Sequence, residues 1–117
     1  MKYQNKSTGQ SGESFAKEYL LEKGYQILQM NFSNKFGEID IIARDQNTLV
    51  FVEVKTKTGI DFGSPEEMIN KGKLSRVRHM GMIYTNGKSV PCRIDVIAIV
   101  LTRSGEVARL THHENVY

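Results

Sequence analysis

Leu49-Val50-Phe51-Val52-Glu53-Val54-Lys55 is the stretch on which the reading of this chain turns. Its β-branched, apolar run predicts a strand, with Val50, Val52 and Val54 on one face and Phe51, Glu53 and Lys55 on the other. Burying two ionisable groups in so apolar a strand is costly unless they are paired or hold a metal. The preceding stretch, Gly37-Glu38-Ile39-Asp40-Ile41-Ile42, repeats the pattern. Alternation there sets Glu38 and Asp40 on one face, away from Ile39 and Ile41. A turn centred between Gln46 and Asn47 puts Asp40 directly opposite Glu53, with Cβ atoms ~5 Å apart, and Lys55 opposite Glu38. A register slip of one residue would move the two carboxylates to opposite faces. Ionised carboxylates that close repel each other, so a positive group belongs between them. Lys55 supplies part of it, and a divalent cation with oxygen ligands supplies more.

The rest of the chain is organised around these two strands. Ser7 to about Lys23 reads as a helix, because Phe15, Ala16, Tyr19 and Leu20 recur at helical spacing. Ser7 or Ser11 can cap its start and Gly24 can end it. By helical steps Glu13 lies above Ala16 and Leu20, on the stripe facing the sheet, and so can reach the same end of the sheet. Strands are expected at Tyr25–Asn31, Gly37–Arg44 and Thr48–Lys57 as an antiparallel meander, followed by a loop over Gly59–Ser64. Pro65 with Glu66-Glu67 starts a second helix. It runs to about Thr85, with Gly72 as a candidate break and Asn86-Gly87 as its end. Arg93–Thr102 reads as a strongly apolar strand and Val107–Thr111 as a short edge strand. The expected class is α/β, in the order α-β-β-β-α-β, with helices packed on a mixed central sheet.

Composition narrows the function classes. The 117 residues suit one domain over 1–117, and hydrophobic residues at 39% with charged residues at 25% are ordinary for a globular protein. The longest aliphatic run, Val96 to Leu101, is six residues, far below the ~20 that cross a bilayer. The polar first residues lack an apolar export segment and Cys92 has no partner in the chain, so a cytoplasmic protein without a membrane partner is expected. Sixteen basic against thirteen acidic residues give +3, with a pI near 9.0. The distribution is uneven: Lys71, Lys73, Arg76, Arg78, Lys88 and Arg93 fall between Met68 and Ile94, where there is no Asp or Glu. Such a segment is a candidate footprint for a polyanion, or else a solvated helix face.

Each candidate residue also has a structural reading. Glu13 can complement the helix dipole, Glu53 and Lys55 can form an ion pair, and Asp40 can cap a turn. No structural need calls for all four on one surface. His79, His112 and His113 lack metal-site spacing, and the His112-His113 pair reads as surface. Cys92 reads as a small buried filler, and Met68, Met80 and Met82 as packing residues.

Asp40, twelve residues, and then Glu53-Val54-Lys55 resembles the core motif of the PD-(D/E)XK nuclease superfamily, whose fold is restriction-endonuclease-like. More closely, the chain resembles the YraN family of small bacterial proteins. The resemblance rests on Gly9-Gln10-Ser11-Gly12-Glu13, Gly24-Tyr25, Asn31, Gly37-Glu38-Ile39-Asp40, Phe51-Val52-Glu53-Val54-Lys55, Phe62-Gly63, Pro65, Lys73 and Arg93-Ile94-Asp95. It is also similar to archaeal Holliday-junction resolvases, which carry an equivalent helix glutamate. Ile39 stands where the superfamily name has proline. Lys57 stands in place of an expected arginine, keeping the charge but losing a planar fork for phosphate.

What the resemblance implies is metal-dependent hydrolysis of phosphodiester bonds. Asp40 and Glu53, with the main-chain carbonyl of Val54, would hold Mg²⁺ or Mn²⁺. Lys55 would orient and deprotonate a water, and Glu13 would complete the metal shell. Glu38 and Asp95 are further candidates around that shell. Lys57, Lys71, Lys73, Arg76, Arg78 and Arg93 would contact the DNA backbone. With no base-reading motif in the sequence, branched or junction DNA is the expected substrate. A homodimer would match two sites to a two-strand substrate. The competing expectations are a nucleic-acid-binding adaptor that keeps the fold with little turnover, and a domain whose ion-pair cluster is only structural.

Overall fold

The structure, a computed structural model, describes residues 8–59 and 63–117, with residues 8–11 as backbone alone. The expected Ser7 cap and the Phe62 of the resemblance lie outside the described residues, as does the Ser11 side chain. The elements are α1 (Thr8–Glu22), β1 (Gln26–Asn34), β2 (Gly37–Asp45), β3 (Thr48–Thr58), a 3-10 turn at Pro65–Met68, α2 (Lys71–Tyr84), β4 (Cys92–Leu101) and β5 (Val107–His113). Gly24, at φ +92°, ends α1 in a left-handed conformation that glycine adopts without strain.

The five strands pair in sequence order, β1 to β5. β1, β2 and β3 form the antiparallel meander. β3 and β4 are parallel, and β5 returns antiparallel to β4. A parallel pair needs a long crossover, and α2 supplies it between β3 and β4. One face of the sheet packs under α1, where Ala16 and Leu20 meet Val50, Val52, Val54, Ile97 and Ile99. The other face carries α2, where Leu74, Val77 and Met80 meet Ile39, Phe51, Ile94 and Val96. A five-stranded mixed sheet between two helices makes this an α/β protein, compatible with the restriction-endonuclease-like fold.

Three local expectations need correction. The second helix does not run unbroken from Pro65, and its break falls at Ile69–Asn70 rather than Gly72. Asn70 is extended (φ −142°, ψ 170°) and caps α2 by accepting from the Lys73 N–H, at 2.8 Å. A short polar side chain that can satisfy a first-turn donor makes a fresh start cheaper than continuing the 3-10 turn. Ile39 and Ile41 do not share a face: Ile39 packs on the α2 side and Ile41 on the α1 side. The alternation breaks where Asn31 of β1 takes a left-handed φ of 53°, between the pairs Met30–Ile41 and Phe32–Ile39. Cys92 is exposed rather than buried, because it opens β4 ahead of the apolar run.

Candidate functional site

The β2–β3 pairing runs from Asp45–Thr48 to Ile41–Val52 and stops there. The next step of that register sets Asp40 against Glu53. Where the strands part, Asp40 Oδ2 accepts the Val54 N–H at 2.8 Å, so a side chain satisfies a buried main-chain donor. Asp40 is 9% and Glu53 3% exposed. Their carboxyls share a hydrogen bond, and the Asp40 pKa is pushed up to about 8. Burial is the main cause and the Glu53 charge adds to it; the Val54 N–H opposes the shift, and Glu13 contributes a further push upward. Burial and the neighbouring Glu53 charge thus favour the protonated form of Asp40.

Two lysines answer this charge. Lys73 Nζ, from the first turn of α2, lies 2.9 Å from Glu53 Oε2, and Lys55 Nζ lies 3.5 Å from the same oxygen. Burial, together with the adjacent Lys73 ammonium, lowers the Lys55 pKa, although Glu53 and Asp40 pull it the other way. Lys73 moves upward despite its burial, through its contacts with Lys55 and Glu53. The expected Lys55–Glu38 pairing across the strands is not what the structure contains. Glu38 instead accepts from Asn31 Nδ2 at 3.1 Å, and the same amide donates to Glu13 at 2.9 Å.

Glu13 reaches this end of the sheet because α1 sits unusually close to it. A Cβ on Gly12 would run into the Thr56 side chain, so only glycine lets that turn of α1 settle against β3. Glu13, Glu38, Asp40, Glu53, Lys55, Lys73 and Arg76 thereby line one cavity of about 370 Å³, together with Val54. A larger cavity of about 590 Å³ opens beside the C-terminal half of α2, but no Asp or Glu lines it. The acid–base chemistry belongs to the smaller one.

Sequence reasoning gave no role to Asn31, which ties two of the acids and kinks β1. Its signal is an asparagine inside an apolar strand, a residue type that tolerates the left-handed region. Other expected site residues lie elsewhere. Lys57 Nζ donates to the Gly63 carbonyl at 3.4 Å. Lys71 is exposed at the start of α2. Arg78 stacks on Tyr117, its guanidinium carbon 5.3 Å from the ring centroid. Arg93 is held by Asp95 at 3.0 Å and by the Tyr25 hydroxyl at 2.8 Å. Asp95 lies on the α1 side of the sheet, fully buried, and accepts from His112 Nε2 at 2.8 Å and the Asn115 N–H at 2.9 Å. It is therefore no part of the acid cavity. His112 is correspondingly buried, its side chain 4% exposed, contrary to its surface reading. Of Met68, Met80 and Met82, the three read as packing residues, Met80 is in the core, whereas Met68 and Met82 are exposed.

Among the described residues, no group of three or more His, Cys, Asp or Glu is arranged to hold a metal ion. The residues do fit a hard divalent cation of the Mg²⁺ type, which is commonly bound through one or two carboxylates plus substrate phosphates. Two carboxyls this close are an oxygen donor pair that such a cation could bind in place of the Asp40 proton.

The chain is 39% identical over 116 residues to a UPF0102 protein of Dictyoglomus turgidum, covering 97% of this chain and 98% of that one. It is 44% identical over 105 residues to a UPF0102 protein of Clostridium botulinum, covering 86% and 85%. A relative from Thermodesulfovibrio yellowstonii is 46% identical over 93 residues, covering 78% and 83%. The model of the uncharacterised protein family UPF0102 matches residues 12–99, from Gly12 in α1 to near the end of β4, and the chain belongs to that family, the YraN family of the sequence resemblance.

Proposed function

We propose that this chain is a metal-dependent endonuclease that hydrolyses phosphodiester bonds in DNA, selecting branched or junction structures rather than a base sequence. The observation that carries the reading is the Asp40–Glu53 pair, crowded until Asp40 titrates near 8 and set beside Lys55 and Lys73 in an open cavity. Titratable groups perturbed by burial and by a specific charged neighbour, gathered in an open cavity, are the arrangement that catalytic sites use. Asp40 and Glu53, with the Val54 carbonyl, would hold Mg²⁺ or Mn²⁺. Such an ion when bound supplies Lewis acidity toward phosphate and a lowered pKa for water. Lys55, with its depressed pKa, is suited to take a proton at Nζ from an attacking water, while the leaving oxygen on the far side of the phosphorus takes its proton from solvent water. Lys73 fixes the Glu53 carboxylate and adds positive charge beside the phosphate. Glu13, oriented by Asn31, completes the acidic wall. Arg76 and Lys71 on α2 would meet the backbone phosphates, which position a nucleic acid without reading it.

The test is cleavage of an end-labelled branched DNA in Mn²⁺ or Mg²⁺ by wild type, Asp40→Ala and Lys55→Ala. Cutting that needs the metal and falls by at least about a hundredfold in both variants is the expected result. The adaptor reading has one observation in its favour: Lys73 already supplies Glu53 with a cation at 2.9 Å. It predicts DNA binding with no cutting under either metal.

A further inference from the structure

The turn between β1 and β2 holds a large aromatic side chain in solvent at the rim of the acid cavity. Phe36 is 54% exposed, and its N–H is fixed by Asn34 Oδ1 at 2.7 Å. The next two residues, Gly37 and Glu38, line the cavity. The His79 ring of α2 meets Phe36 edge-on, centroids 5.7 Å apart at 81°. Lys35 Nζ stands over one face of the Phe36 ring, 5.2 Å from its centroid, which leaves the opposite face for stacking. His79 lies one helical turn beyond Arg76, which also lines the cavity. A lone exposed phenylalanine is common on protein surfaces. This one is braced by a second ring, carries Lys35 over its face, and leads directly into Gly37 and Glu38 of the cavity wall. The acids on this rim, Glu38 and Glu13, are both engaged by Asn31.

We infer that Phe36 is a stacking subsite for an unpaired base of a nucleic acid whose neighbouring phosphate enters the acid cavity. The inference rests on reading that cavity as a nucleic-acid site, and it names the feature recognised. An aromatic ring stacks on any base, because every base has a π-face, whereas cations beside the ring hold the backbone. A base inside a duplex has both faces covered by its neighbours, so a flap or gap offers Phe36 an unpaired face that the interior of a duplex does not. Selection of structure without base reading follows from that geometry.

The chain has no tryptophan, so Phe36→Trp introduces a single fluorescent reporter at this position. The measurement is made in an Asp40→Asn background with EDTA, which separates binding from cutting, using a flap oligonucleotide and a fully paired duplex of equal length. Quenching of Trp fluorescence by the flap and not by the duplex is expected. Phe36→Ala should weaken flap binding about tenfold or more and duplex binding less than twofold. Equal losses on both DNAs, no loss on either, or an unresponsive tryptophan would overturn the subsite. If neither DNA binds, the nucleic-acid reading falls and takes the subsite with it. If the flap binds through Phe36 but wild type cuts nothing with either metal, the nuclease reading falls and the subsite stands.

Discussion

Asp40 accepts the Val54 N–H through Oδ2 and shares a hydrogen bond with Glu53. Its proton is bound far more tightly in the folded chain, with the pKa pushed up to about 8 from the usual 3.8. The stability this carboxyl contributes is therefore complete below about pH 4 and is lost as pH climbs toward 8. Asparagine cannot ionise, yet it still accepts from Val54 and donates to Glu53 as the protonated acid does. In EDTA, Asp40→Asn should melt above wild type by roughly 5 °C at pH 8.5, with the gap narrowing as pH falls and closing only near pH 4. Thermal melts across that range check it, and a wild type at least as stable at pH 8.5 would deny the crowding. The opposition of Asp40 and Glu53 was legible in the sequence because hairpin register is arithmetic once the turn is placed. The Asp40–Val54 bond was not, because it exists only where the ladder has ended. Nor was the Lys73–Glu53 ion pair, which joins a helix to a strand that packs beneath it.

Among the elements, all five strands begin and end within three residues of where alternation and turn chemistry place them. The misplaced start of α2 has a physical reason: Pro65-Glu66-Glu67 is a good helix opening, but Glu66 serves a contact outside its own segment. Glu66 receives Arg109 at 3.0 and 3.2 Å and His113 at 3.0 Å. It thereby ties the 3-10 turn to β5. Burial alone would raise the Glu66 pKa, yet the hydrogen bonds from Arg109 and His113 draw it down to about 2. A depressed carboxyl contributes its stability above about pH 4.5 and loses it as pH falls toward 2. Because the clamp is partly exposed, Glu66→Gln should cost only about 1 kcal/mol at pH 6 and nothing at pH 2. Urea titrations at the two pH values measure the difference. A cost that persists at pH 2 would mean that packing, not charge, holds the turn. No sequence spacing announces this clamp, since its partners lie more than forty residues away.

At the scale of the molecule, the layered fold was readable because each strand neighbours the next in sequence and the single parallel pair has a helix to cross it. Charge was the poorer guide. A count of Lys and Arg treats Arg76 and Arg93 alike, whereas the fold separates them. Arg76 lines the acid cavity as an exposed residue of α2. Arg93 neutralises Asp95, which has no solvent exposure, and its own side chain is 17% exposed. Removing one partner of a buried pair leaves the other uncompensated, so Arg93→Ala should cost about 3 kcal/mol of stability. It should leave the salt dependence of DNA binding unchanged when measured well below the variant's melting temperature. Arg76→Ala should do the reverse, with stability within about 0.5 kcal/mol of wild type and a slope of log K against log salt shallower by about 1. Denaturant melts and binding isotherms at four salt concentrations give both quantities for both variants. A shallower slope for Arg93→Ala would put DNA on the α1 side of the sheet, away from Asp40 and Glu53, and the acid cavity would then lose its claim to the substrate.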